Sequence, residues 1–139
     1  MSSLSYLRWR KSSVQSQIQS NRSLISSTED KIARLRQALS EISSSLSDLQ
    51  SVKSSINSLS IDLNSWRGNE EDKFEDKYDS YKDSVKTYVS KVEDAKEAIH
   101  DDIRRYEAEK AFYQSSINSL QYSLNSLNWQ ITQAQRELS

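Results

Sequence analysis

The chain has one histidine, His100, standing beside Asp101 and Asp102, and no cysteine. A histidine next to carboxylates can ligate zinc or relay a proton. Either task needs further ligands or an oriented nucleophile, and no second histidine or cysteine exists to complete such a set. His100 also falls just off the apolar helical stripe described below, so it reads as a solvated side chain. Two acidic clusters, Glu70-Glu71-Asp72 and Glu75-Asp76, offer the oxygen ligands a divalent cation would use. They lack the glycine-bearing calcium-loop pattern and alternate with Lys73 and Lys77, so negative charge at a helix start and i,i+4 pairing account for them. No phosphate loop, nucleophile elbow or dinucleotide fingerprint is present. The expectation is a protein without cofactor, metal or catalytic residues, whose work is done by binding.

The residues suited to binding are apolar groups that a single helical pairing leaves over. Tyr6, Trp9, Tyr122 and Trp129 gather toward one end of the chain's fold, and Leu24, Ile61, Val89 and Phe112 also fall outside the main stripe. Tyrosine and tryptophan are enriched among residues that dominate interface energetics. Two helices paired along one stripe each cannot cover side chains on their other faces, so Tyr6, Trp9, Leu24, Phe112, Tyr122 and Trp129 are the candidate partner-binding residues.

The elements that position these groups follow from spacing. From Ile32 the apolar residues fall at Leu35, Leu39, Ile42, Leu46, Leu49, Val52, Ile56, Leu59 and Leu63, alternating three and four apart, which is one helical stripe. Upstream it thins to Leu4, Leu7, Val14, Ile18 and Ile25, with Asn21, Arg22, Thr28 and Glu29 at intermediate positions. A second stripe runs through Phe74, Tyr78, Tyr81, Val85, Tyr88, Val92, Ala95, Ile99, Ile103, Tyr106, Tyr113, Ile117, Leu120, Leu124, Leu127, Ile131, Ala134 and Leu138. Proline is absent and the only glycine is Gly68, between the two stripes. Glycine is poor inside a helix and favoured just past a helix end, so Trp66-Arg67-Gly68 marks the reversal. Asn69 makes a good N-cap for the second helix, with Asp72 three residues on. The spacing predicts an all-α, elongated, antiparallel two-helix hairpin of coiled-coil type over residues 1–139, suited to form part of a larger helical bundle. Helix one covers about 4–64, the turn 65–69 and helix two about 69–138, each helix on the order of 90–100 Å long.

Reversal at Arg67 brings Ile56 opposite Tyr78, Leu49 opposite Val85, Ile18 opposite Ile117 and Leu7 opposite Leu127. It also brings Arg22 opposite Tyr113 and Glu29 near Arg105 and Tyr106, a polar layer able to hold register. The alternative is that the two helices pair with other chains.

Composition sets further bounds. Hydrophobic residues make up 35% of 139 positions and mean hydropathy is −0.83, low for a compact globule. Nineteen basic and 20 acidic residues leave a formal charge of −1, so nothing recommends the chain to nucleic acid. Serine supplies about a fifth of the residues, and Ser54-Ser55-Ile56-Asn57-Ser58-Leu59 recurs as Ser115-Ser116-Ile117-Asn118-Ser119-Leu120. These serines surround a preserved stripe and read as a solvated helix surface. No stretch approaches the ~20 apolar residues of a membrane span. The start, with Arg8, Arg10 and Lys11 following a few apolar residues, has no signal-peptide pattern. Cytoplasmic residence is expected, with any co-secretion leaderless, and stable membrane insertion is not.

A long helix, a central W-x-G turn, a second long helix and the absence of cysteine together resemble the W-x-G helical-hairpin proteins of bacterial type VII secretion, the early-secreted-antigen-like superfamily. The greater length and the Ser/Asn-rich helices are similar to its YwqH-like group, associated with LXG toxins of Gram-positive bacteria. The resemblance implies a partner protein that binds the helical N-terminal region of an LXG toxin, with room for a second small helical partner, and helps deliver it to a membrane secretion ATPase. It further implies that Trp66, Arg67 and Gly68 lie at the hairpin tip and touch the secretion machinery. Many secreted members carry a Y-x-x-x-[DE] signal after the second helix. Here Tyr106, Tyr113 and Tyr122 are followed four residues later by Lys110, Ile117 and Ser126. An export signal would then come from a partner or be composite. The rival readings are a structural or scaffolding coiled coil, as in phage or cytoskeletal assemblies, and a secreted membrane-active helical protein suggested by the basic, aromatic start.

Overall fold

A computed structural model describes residues 3–59 and 69–138, with side chains over 3–56 and 75–138. Two helices account for all of them: α1, Ser3–Leu59, and α2, Asn69–Leu138. Trp66, Arg67, Gly68 and Ile61 lie outside the described residues, as do the side chains of Asn69 and Asp72.

Serine is a mediocre helix former, and isolated helices depend on packing for most of their stability. Local side-chain bonds add to the helices here. The Thr28 hydroxyl donates to the Leu24 carbonyl at 2.8 Å, Ser51 to Ser47 at 3.2 Å and Thr132 to Asn128 at 2.9 Å. Gln17 and Gln130 donate one turn back to Ser13 and Ser126. Such bonds keep hydroxyls and amides satisfied without interrupting the ladder.

The chain divides into two compact units, and in each a segment of α1 packs antiparallel on a segment of α2. Unit 1 comprises Met1–Arg34 with Ile103–Ser139, and unit 2 comprises Leu35–Asp102. In unit 1, Val14, Ile18 and Leu127 form a buried cluster flanked by Leu7, Ile117, Leu120 and Leu124. In unit 2, Leu46, Ile56, Val85 and Val89 are buried together, with Leu49, Tyr78 and Val92 against them. Leu7 and Leu127, Ile18 and Ile117, and Leu49 and Val85 thus share clusters, in keeping with the register read from the stripes. The Tyr78 hydroxyl donates to the backbone carbonyl of Ile56, tying the two helices at the same register. Tyr78→Phe keeps the ring and removes this bond, so urea unfolding should show a loss of about 1 kcal/mol.

Four details differ from the expected pattern. Val89 is buried in the unit 2 cluster, while Tyr81 and Tyr88, assigned to the stripe, are exposed. Successive helical residues turn by about 100°, which places Val89 about 40° to one side of Val85 and Tyr88 about 60° to the other. The buried face is therefore rotated toward Val89, and the two tyrosines stand on its flank. Val52 and Leu138 are likewise exposed. Thr28, read as an interruption, is 4% exposed and belongs to the interior, its hydroxyl already satisfied by Leu24.

The last difference concerns the polar layer. Glu29 pairs with Lys110 at 3.4 Å, a partner that the register reading did not name. Lys110 and Arg105 are five positions apart, about 140° around the helix. Tyr106 instead lies under two cations, with Lys31 Nζ 5.4 Å and the Arg105 guanidinium 5.0 Å from its ring centroid. Arg22 is exposed.

Candidate interaction surface

All six candidate partner-binding residues fall in unit 1 and all are exposed. Tyr6 and Leu24, 18 positions apart, are separated by five full turns and so lie on one flank of α1. Trp9 stacks on Tyr6, centroids 6.2 Å apart and planes inclined at 29°. On α2, Tyr122 and Trp129 are seven positions apart and share a face directed away from the seam. They are 83% and 65% exposed, while Leu127, between them in sequence, is 3% exposed. Phe112 stands on the flank of α2 and meets Tyr113 edge-on at 5.9 Å.

Two shallow grooves run along unit 1 where α1 and α2 meet. One, about 490 Å³, lies between Gln17 and Asn21 of α1 and Phe112, Ser115 and Ser119 of α2. The next, about 590 Å³, lies between Arg10 and a wall containing Asn118, Ser119, Tyr122 and Ser126. Ser119 lines both. Small hydroxyl side chains make the floor low, and aromatic rings rise beside it, a relief into which the ridge of another helix can fit. The structure therefore brings Phe112 and Tyr122 to neighbouring grooves and Tyr6 to Trp9, while Leu24 and Trp129 line neither groove.

The chain-wide balance of −1 conceals a division of charge that the sequence reading missed. Unit 1 carries ten Lys and Arg against five Asp and Glu, a net of +5, and unit 2 carries nine against 15, a net of −6. The signal lay in the sequence, since residues 1–28 and 112–135 contain no acid at all. Residues 112–135 carry no charge of either sign, so their pairing with 1–28 leaves the bases of 1–28 without an acid in either segment.

His100 is partly buried rather than solvated. Among the described residues there is no group of three or more His, Cys, Asp or Glu placed to hold a metal ion. Nor, among them, is any helix long and apolar enough to cross a membrane.

Comparison with curated proteins and with solved structures found no match. Residues 10–129, covering most of both helices, match the YwqH-like family, and the chain belongs to that family.

Proposed function

We propose that this chain is a small W-x-G-type partner protein of a type VII secretion system. It binds the helical N-terminal region of an LXG toxin and helps target it for export. The observation that carries the reading is the YwqH-like match over residues 10–129. The exposure of Tyr6, Trp9, Leu24, Phe112, Tyr122 and Trp129 on one unit supports it. Exposed aromatic groups on several faces of a two-helix unit suit enclosure by further helices, extending two helices into a bundle of four or more. In this reading the chain is a binding protein rather than an enzyme, meets its toxin in the cytoplasm, and takes no cofactor or nucleic acid. Trp66, Arg67 and Gly68 would contact the secretion ATPase or its associated machinery, and Asn69 and Asp72 would cap the helix that follows.

Co-expression with an LXG toxin encoded in the same gene neighbourhood tests both parts. The toxin's N-terminal region should co-purify with this chain, and Trp66→Ala should leave the complex intact while toxin export falls. Absence of co-purification removes the partner role, and undiminished export by the Trp66 variant removes the role of the W-x-G segment.

A further inference from the structure

Residues 1–28 and 112–135 pack together in unit 1, and within these 52 residues the only charged groups are Arg8, Arg10, Lys11 and Arg22. Arg8, Arg10 and Arg22 are exposed. The acids of unit 1 lie outside both stretches, at Glu29, Asp30, Glu107, Glu109 and Glu137. Glu29 is taken by Lys110 at 3.4 Å and Asp30 by Arg34 at 3.1 Å. Arg10 lines a serine-floored groove, and Arg8 and Arg22 stand exposed on the other flank of α1, about 160° and 120° around the helix from Arg10, with no carboxylate in these segments to balance them. Unit 2 is arranged differently, its lysines being interspersed with 15 acids.

Building on the function proposed above, we propose that unit 1 alone is the docking half, and that it receives a helix of the toxin's N-terminal region bearing aspartate and glutamate on the side it presents. Small or apolar residues of that helix sit over Ser115 and Ser119 beside Phe112 and its carboxylates reach Arg10, while a second acidic helix of the same region meets Arg8 and Arg22 on the other flank. Charge complementarity of this kind fixes register, raises the association rate and makes binding sensitive to salt. A surface of serines and exposed aromatic rings without the cations would accept apolar helices indiscriminately. The bases discriminate among them by charge.

The test uses the whole chain and the N-terminal helical region of the neighbouring toxin, with affinity measured by calorimetry. The triple variant Arg8→Glu, Arg10→Glu, Arg22→Glu should weaken binding by about 30-fold or more, and salt should weaken the wild-type complex by about tenfold between low and high concentration. The matched variant Lys77→Glu, Lys82→Glu, Lys86→Glu in unit 2 should stay within about threefold of wild type. Circular dichroism melts verify that each variant folds, and replacement of the three arginines by glutamine gives an intermediate loss with a milder change. A wild-type chain that binds no toxin region overturns the function proposed above, and the docking assignment with it. A wild-type complex equally sensitive to both triple variants, or to neither, overturns the docking assignment alone. Two further outcomes also overturn it. A salt-sensitive dimer of the chain alone, lost in the arginine variant while toxin affinity is unchanged, assigns the cations to a second copy. Arginine-dependent sedimentation with phosphatidylglycerol vesicles, again with toxin affinity unchanged, assigns them to a lipid surface.

Discussion

Leu127→Ala should destabilise the chain by about 3 kcal/mol, whereas Trp129→Ala, two positions later, should cost less than about 0.5 kcal/mol. Leu127 is the most enclosed side chain of the unit 1 cluster, held between Val14 and Ile18 with Leu7, Leu120 and Leu124 around it. In a two-helix pairing each seam position is filled by few residues. A deleted side chain leaves a gap that no third layer can close, and the loss of transferred apolar surface adds to the cost of the void. Trp129 lies about 160° around the helix from Leu127 and is largely in solvent. Urea unfolding of both variants, followed by helical ellipticity, measures the difference. Equal effects would mean that Trp129 is covered within the monomer and is not available to a partner.

The second large effect separates Val89 from Tyr88. Val89→Asp places a carboxylate among Leu46, Ile56 and Val85, where it has no basic partner in the cluster. It should cost at least about 3 kcal/mol and lower the melting temperature sharply. Tyr88→Asp alters an exposed position and should change stability by less than about 1 kcal/mol. Thermal melts of the pair decide which residue faces the seam. A severe loss at Tyr88 with tolerance at Val89 would return the buried face to the tyrosine side.

The tyrosine and valine pair also marks the boundary of what spacing could reveal. Two long helices were legible because proline is absent, glycine occurs once, and apolar residues recur every three or four positions. Register was legible from the same stripes, and the Tyr78 to Ile56 bond fits it. The rotation of α2 about its own axis was harder to read. Around Val85 an apolar residue stands at both the i+3 and i+4 positions, and tyrosine, apolar in body and polar at its tip, satisfies either a seam or a flank. Thr28 was misread for a related reason: a β-branched residue whose hydroxyl bonds back to the preceding turn can occupy the interior much as valine does. Of the candidate site, the exposed aromatics were legible as side chains left outside one stripe, although Val89, set outside the stripe as well, is buried in the seam. The four cations lie within residues 8–22 and were open to the same reading. The grooves depend on how α1 and α2 meet, which is not a property of any local stretch.

The two buried clusters have no residue in common, one resting on Val14, Ile18 and Leu127 and the other on Leu46, Ile56, Val85 and Val89. The contacts that hold one cluster shut are not those that hold the other, so backbone amides are expected to open to solvent exchange in two blocks with separate free energies. A partner that reshapes one block as it docks can leave the other closed, and the hairpin then serves as two independently latched segments carried on continuous helices.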